Sequence, residues 1–406
     1  MNPITKRNLI ILWVTNFIVA ASAMMILPFL SLYIETFGNY TQEEVQRWAG
    51  FVFGITFLVA FFVSPLWGRF GDQHGRKKIL IFSGSGIATC IFFMAFTTSV
   101  EQLFTLRFLN GLFTGFIPTT MALISAQTPK NIAGKVLGTL QTGTVSGALM
   151  GPVIGGWLSE QFGFEQTFIL TALGIYIAVL IAGIGVKEIN IQDEKMENKE
   201  TYSRKEVLHY IFSHPTLFAV MIIALIAQFA NLSIQPLLAL YVNKLSDFSN
   251  SVLLAGLAFS ITGLGNLFSA RYWGKLGDRI GHEKTLLIVL ILSTVFFIPQ
   301  GFSTSIEQLI FLRFLFGIQL GGLIPCLTAA IRQSSPVSIQ GEVQGYQVSS
   351  RFLGNVLGPM TGGILSGYIG ISFVFFTSGI LFLVGVIILW FAIQKEQKAY
   401  QQKHTA

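Results

Sequence analysis

Apolar residues run along this chain in blocks too long to be the buried stripe of a water-facing helix. Such blocks cover residues 8–34, 48–66, 79–99, 103–125, 136–159 and 165–186. After a polar segment they resume at 216–242, 252–270, 285–302, 308–330, 343–368 and 371–393. Each is about long enough for an α-helix to cross a hydrocarbon core of roughly 30 Å. Only helices and closed barrels satisfy their backbone groups in lipid. The pattern therefore predicts an all-α membrane protein with twelve transmembrane helices. The first block follows Lys6 and Arg7, lacks a small-residue cleavage site and is too long for a signal peptide, so it reads as the first span.

Between the sixth and seventh blocks lies the only long charged stretch, Lys187–Ser213, which suits a connector. An amphipathic helix on the inner surface is also open around Arg204–Phe212. The expected organisation is a six-helix bundle over residues 1–186, a cytoplasmic linker over 187–214, a second bundle over 215–394 and a tail over 395–406.

Composition agrees with a lipid environment. Charged residues make up 11% of the chain and apolar ones 52%, whereas soluble domains carry roughly 25% charge. Two cysteines, Cys90 and Cys326, sit inside apolar blocks and offer no disulfide framework. A net charge of +7 raises nucleic acid as a partner, but the positions of the charges argue against it. With the N-terminus placed inside, 21 of the 26 Lys and Arg fall in inner segments, Arg47 and Lys244 in outer ones, and Arg107, Arg313 and Arg351 within spans. Inner segments of membrane proteins are rich in Lys and Arg, so both termini are expected in the cytoplasm.

The two halves repeat each other. At an offset of 206, Gly68-Arg-Phe-Gly-Asp72 falls on Gly274-Lys-Leu-Gly-Asp278, Ser99-Val-Glu-Gln-Leu103 on Ser305-Ile-Glu-Gln-Leu309, and Arg107 on Arg313. One residue later in register, Gly151-Pro152 falls on Gly358-Pro359 and Gly155-Gly156 on Gly362-Gly363. Six spans per half give parallel repeats, the arrangement in which two bundles can rock about a midplane site.

Two motifs suit such a device. In the loop after span two, Gly68, Gly71 and Gly75 permit tight turns, Asp72 can accept hydrogen bonds from a helix N-terminus or an arginine fork, and Arg76 adds inner-side charge; Gly274, Gly277 and Asp278 repeat the pattern. A turn with inside-positive charge is the simpler reading of the same residues. Span five places Gly143, Gly147, Gly151 and Gly155 on one face, with Gly156 and Pro152 beside it. That face admits close helix approach, and the proline can kink the helix.

On these motifs, on Leu106-Arg107-Phe-Leu-Asn-Gly111 in span four and on Leu27-Pro28-Phe-Leu-Ser-Leu-Tyr33-Ile-Glu35 in span one, the chain resembles a twelve-helix major facilitator superfamily transporter of the drug:proton antiporter group. It is most similar to the MdtG and PmrA multidrug efflux branch. The resemblance implies export of drug-like compounds driven by proton entry. It also links Arg107 to proton movement, with Glu35 then expected as proton acceptor and Arg107 as its modulator. A structural salt bridge or an interfacial carboxylate is the other reading of Glu35. No Asp or Glu stands near the middle of a span, and Asn16 and Met24 occupy the region of span one where many relatives have further acids.

Polar and adaptable side chains expected on cavity-lining or flanking spans are Asn16, Met24, Asn110, Phe113 and Gln141 in the first half. In the second half they are Gln228, Asn231 and Gln235, at i, i+3 and i+7, and Arg351. Arg351 is about ten residues into its span. A structural or gating role is expected first, while pairing with carbonyls, lining water and meeting an anionic or zwitterionic substrate stay open. The histidines form no metal spacing, and no nucleophile elbow or phosphate-binding loop occurs, so an enzyme, a metal site and a cofactor are not expected. The expected protein is a plasma-membrane carrier, functional as a monomer, whose partners are small lipophilic substrates, protons and lipid. An exporter of one endogenous metabolite, lipid or siderophore, or an importer on the same fold, is the alternative.

Overall fold

The computed structural model describes residues 3–38, 40–129, 132–188, 204–246, 250–336 and 339–405, without the side chains at 65, 68, 69, 72, 204 and 399–405. Most of the linker therefore lies outside the described residues. The helices are α1 (Pro3–Met25), α2 (Leu30–Glu35), α3 (Gln42–His74), α4 (Arg76–Met94), α5 (Val100–Leu112), α6 (Phe116–Ala126), α7 (Ala133–Phe162) and α8 (Phe164–Gly185). They continue as α9 (Arg204–Ser213), α10 (Pro215–Ser233), α11 (Leu238–Leu245), α12 (Ser251–Ile280), α13 (His282–Phe297), α14 (Ile306–Ser334), α15 (Gln340–Ile369) and α16 (Ile371–Thr405). No strand occurs among the described residues.

Local chemistry fixes several helix starts. At α3, the Thr41 hydroxyl accepts from the Glu44 amide while Glu44 Oε2 accepts from the Thr41 amide at 2.8 Å, a capping box that satisfies two free donors. This start lies before the predicted boundary at 48 and brings Arg47 into the helix, 3.6 Å from Glu43. At equivalent places in the repeat, the Ser99 and Ser305 hydroxyls cap α5 and α14 by accepting from the Gln102 and Gln308 backbone amides.

Three predicted spans are broken rather than continuous. Span one divides into α1 and α2 around Pro28, span four into α5 and α6 before Pro118, and span seven into α10 and α11 across a 3-10 turn, Gln235–Leu237. Each break precedes or contains a proline, which cannot donate to the turn before it. Because α10 ends at Ser233, Gln235 leaves the helical register that the sequence pattern gave it with Gln228. By contrast, Pro152 and Pro359 lie within unbroken α7 and α15.

Among the described residues, ten helical segments are long and apolar enough to cross a membrane. The two 30-residue helices α7 and α15 are long enough but fall short in hydropathy, because glycine and polar residues take the places of large apolar ones.

Contacts divide the chain into two units. The first contains Met1–Glu194 with Pro236–Ser260, and the second Lys195–Gln235 with Ile261–Ala406. Within the first, α7 lays its glycines on α1. A β-carbon at Gly143 would lie 2.7 Å from the Trp13 carbonyl oxygen, and those at Gly147, Gly151 and Gly155 would strike the carbonyls of Phe17, Ala21 and Met25. Both rows advance by four residues, so each glycine meets one carbonyl of the facing turn. Within the second, α15 repeats this on α10: Gly354, Gly358 and Gly362 face the carbonyls of Leu225, Phe229 and Ser233.

The repeat extends to individual bonds. Trp67 Nε1 donates to Leu112 O at 2.7 Å, and Trp273 Nε1 donates to Ile318 O at 2.7 Å. Gly111 packs on the Thr56 carbonyl and Gly317 on that of Thr262.

Glycine substitutions should separate the packed face from the open one. Gly155→Val places atoms on the Met25 carbonyl and should lower thermal stability by roughly 1–3 kcal/mol. Gly138→Ala, with nothing near its β-position, should be neutral or stabilising by up to about 1 kcal/mol. Thermal unfolding of the detergent-solubilised chain measures both.

Candidate functional site

The loop motif after α3 builds a tight helix-to-helix corner. Gly75 has φ +94° and Gly281 φ +96° at the corresponding corner of the second unit, a backbone region that side chains disfavour. The α3 cap is completed by Gly75 N donating to Gly71 O at 3.1 Å. Directly after it, the exposed amides of α4 receive a carboxylate. Arg76 N donates to Glu188 Oε1 at 2.7 Å and Lys77 N to Glu188 Oε2 at 3.2 Å. A negative charge at a helix N-terminus is favourable there. The Arg76 side chain turns elsewhere, with Nη1 donating to Ala122 O at 3.0 Å. Gly68 and Asp72 belong to α3 by backbone, but the Asp72 side chain lies outside the described residues.

Glu188 extends a buried amide clasp that sequence reading did not identify. Asn8 is fully buried; its Nδ2 donates to Gln127 Oε1 at 2.8 Å and to Lys187 O at 2.6 Å, and its Oδ1 accepts from Lys187 N at 3.1 Å. Gln127 Nε2 also donates to Lys187 O, and Thr5 Oγ1 donates to Gln127 O. The clasp ties α1, α6, the end of α8 and the start of α4 together. Residues Lys187 and Glu188, which charge alone assigns to the linker, are thus fastened to the first unit. The available signal was a lone Asn at the start of an apolar block.

In the second unit the matching loop differs. Asp278 Oδ1 lies 3.4 Å from His282 Nε2, one turn apart, so its charged partner among the described residues is this imidazole. Gly274 has open space at its β-position, while the His282 ring fills that of Gly277.

The motif on α7 has a second contact beyond α1. Gly156 faces the Val252 carbonyl, Gly256 the Pro152 carbonyl, and Ser260 Oγ donates to Leu149 O at 2.6 Å. Glu160 Oε1 accepts from Leu253 N, in the first turn of α12, at 2.8 Å. Gly147, Gly151, Pro152, Gly155 and Gly156 are all buried.

Glu35 and Arg107 are not brought together. Glu35, half-buried at the end of α2, accepts from Gln42 Nε2 at 3.0 Å. Arg107 is buried, donates from Nε to Val52 O at 3.3 Å and lies 5.8 Å from the Phe53 ring centre. Its repeat mate Arg313 is equally buried. Neither Glu35 nor Arg107 has an ion-pair partner among the described residues. Burying a guanidinium away from water is costly, so these arginines are expensive features to keep.

The other expected residues divide by environment. Asn16 is wholly buried, accepting from Thr120 Oγ1 at 3.0 Å. Asn110 is buried too, and the Nδ2 atoms of both lack a hydrogen-bond acceptor among the described residues. Phe113, at the break between α5 and α6, packs on Phe82 and covers Gly86. Met24, Gln228, Asn231, Gln235 and Arg351 are half-buried, and Gln141 is exposed.

The sequence profile of the Major Facilitator Superfamily matches residues 12–270 and 244–406. An uncharacterised MFS-type transporter, YuxJ of Bacillus subtilis (strain 168), is 56% identical over 389 residues, covering 96% of this chain and 99% of its own. Multidrug resistance protein MdtG of Salmonella arizonae is 38% identical, covering 97% of both chains. Among solved structures, a bacterial homologue of the human lysosomal transporter Spinster has a TM-score of 0.78 at 13% identity, over 98% of each chain. The nucleoside transporter NupG has a TM-score of 0.75 at 14% identity, over 95% of this chain and 99% of its own.

Removal of the clasp should be measurable without any substrate. Asn8→Ala leaves the Gln127 Oε1 acceptor and the Lys187 backbone N–H without their partner and should cost roughly 1–3 kcal/mol. Glu188→Ala, which only uncaps α4, should cost roughly 0.5–2 kcal/mol. Chemical unfolding in detergent checks the order.

Proposed function

The chain belongs to the major facilitator superfamily, and we propose that it is a secondary active exporter of drug-like lipophilic compounds, driven by proton antiport through alternating access. That it is a transporter and not an enzyme follows from the family, as does its place as a multi-pass protein of the plasma membrane. Helices α7 and α15 complete twelve spans in this reading, with both termini cytoplasmic, and the monomer is the working unit.

The observation that carries the proposal is the paired glycine seam. Its antiporter-type Gly-Pro-x-x-Gly-Gly sequence, at Gly151–Gly156 and Gly358–Gly363, packs on the first helix of each unit through equivalent carbonyls. Full-length similarity to MdtG, a protein named for multidrug resistance, supports drug-like cargo. Apolar spans with few fixed charges suit lipophilic compounds, and Met24, Phe113, Asn110, Gln141, Gln228, Asn231 and Gln235 are the side chains assigned to contact them.

For coupling, Glu35 is assigned the proton and Arg107 the field that modulates it. They act without a direct ion pair: Glu35 exchanges its proton at the end of α2, and the buried Arg107 guanidinium biases the polar groups around it. The seam of α7 with the start of α12 and the corners at Gly75 and Gly281 serve as the elements that open and close.

Everted membrane vesicles with a fluorescent lipophilic dye in the external medium test the reading. An imposed pH gradient should drive dye accumulation, and nigericin should abolish it; accumulation indifferent to both would refute antiport. Dye-driven proton flux should fall at least tenfold in Glu35→Gln, and an undiminished flux would remove Glu35 from the coupling path.

A further inference from the structure

Helix α15 carries a polar row beside its glycine face. Gln347, Arg351 and Asn355 recur at i, i+4 and i+8, a spacing that aligns them along about 12 Å of helix. Arg351 is the twelfth residue of the 30-residue helix, about 17 Å from its start, and so lies at depth in the membrane. None of the three completes its hydrogen bonding. Gln347 is 4% exposed; among the described residues its Nε2 has no acceptor and the buried Oδ1 of Asn355 has no donor. The half-buried Arg351 guanidinium forms no hydrogen bond or ion pair among the described residues. On the facing helix α10, Gln228 lies alongside: its Cβ is 3.0 Å from where a β-carbon on Gly354 would stand.

The sign of the charge narrows what such a site can hold. Arg351 is the charged side chain within its span, and no carboxylate stands near the middle of any span to balance it. In a low-dielectric setting an unbalanced guanidinium attracts an anion and repels a cation. Gln347 Nε2 adds a free donor on one side of it, and Asn355 Oδ1 adds a free acceptor on the other. We propose that Arg351 and the Gln347 donor form an anion subsite bordered by the Asn355 oxygen, and that the transported compounds include lipophilic monoanions whose carboxylate or sulfonate meets Arg351. This rests on the export reading and names the substrate class for it. The depth of Arg351 points to a small-molecule anion in preference to a lipid headgroup.

The test compares an acid with a neutral isostere on the purified full chain in phosphatidylcholine nanodiscs. Tritiated 1-naphthaleneacetate should bind at least tenfold more tightly than 1-naphthaleneacetamide. In Arg351→Gln the ratio should fall to within about twofold of one, and Arg351→Lys should restore part of the preference. Asn355→Leu should weaken the amide more than the acid, since its oxygen meets a donor only the amide brings. Equal affinities in the native chain, or a preference unchanged in Arg351→Gln, would overturn the proposal. So would equal loss of both ligands in Arg351→Gln, which marks a structural arginine. Acid affinity should be the same when phosphatidylglycerol replaces phosphatidylcholine; its loss would assign the subsite to lipid and overturn the small-molecule form. Dye export in everted vesicles is read in parallel: export with no acid preference removes only the subsite, whereas absent export removes the broader function.

Discussion

Helices dissolved in lipid gain nothing from the hydrophobic effect by touching each other, so they associate only where surfaces fit closely or polar groups find partners. In this chain the fit comes from glycine rows set against carbonyl rows. Gly143, Gly147, Gly151 and Gly155 let α7 settle on the Trp13, Phe17, Ala21 and Met25 carbonyls, and Gly354, Gly358 and Gly362 do the same for α15 on α10. Each contact would be lost to a single added methyl group. These glycines lower the hydropathy of α7 and α15, and both helices fall outside the apolar set for that reason. A helix that packs through glycine gives up apolar surface to gain proximity.

Polar chemistry is placed where that packing leaves room. At the Lys- and Arg-rich end of the first unit, Asn8, Gln127, Lys187 and Glu188 exchange hydrogen bonds that hold four helix ends in one cluster. The second unit has no copy of this clasp among the described residues; its corner uses Asp278 and His282 instead. Duplication has preserved the packing contacts, such as those of Trp67 and Trp273, more closely than the charged ones. That difference has a physical basis. A tryptophan donor in lipid has few alternatives to its carbonyl, while a loop carboxylate at the surface can turn to water.

Much of the fold was legible before any coordinates. Block lengths gave the helical class, and the 206-residue offset gave the matched positions of the repeat, whereas the contact units assign Pro236–Ser260 to the first unit. Proline positions marked where helices break, although the same residue breaks span four and leaves α7 intact. Site residues were less legible. The loop motif drew attention to Asp72, yet the carboxylate on the α4 amides is Glu188, a residue 112 positions beyond Arg76. The family resemblance pairs Glu35 with Arg107, but each takes a different partner. A motif gives position along the chain; rotation about the helix axis and the breaks at Pro28 and Pro118 decide what each side chain meets.

The sequence by itself determined the solvent, the helical class and the repeat, because these depend on quantities that add along a chain: apolar length, charge per segment and matched spacing. Only the tertiary structure decided which polar groups are satisfied. Gln347, Arg351 and Asn355 were visible as polar residues in an apolar span, as were Asn8 and Gln127. Their difference arises from neighbours brought from far along the chain. Asn8 finds Gln127 and Lys187, while Arg351 finds no partner among the described residues. Hydrogen bonds act over about 3 Å, so a sequence that locates residues only to a turn or two of helix cannot assign them.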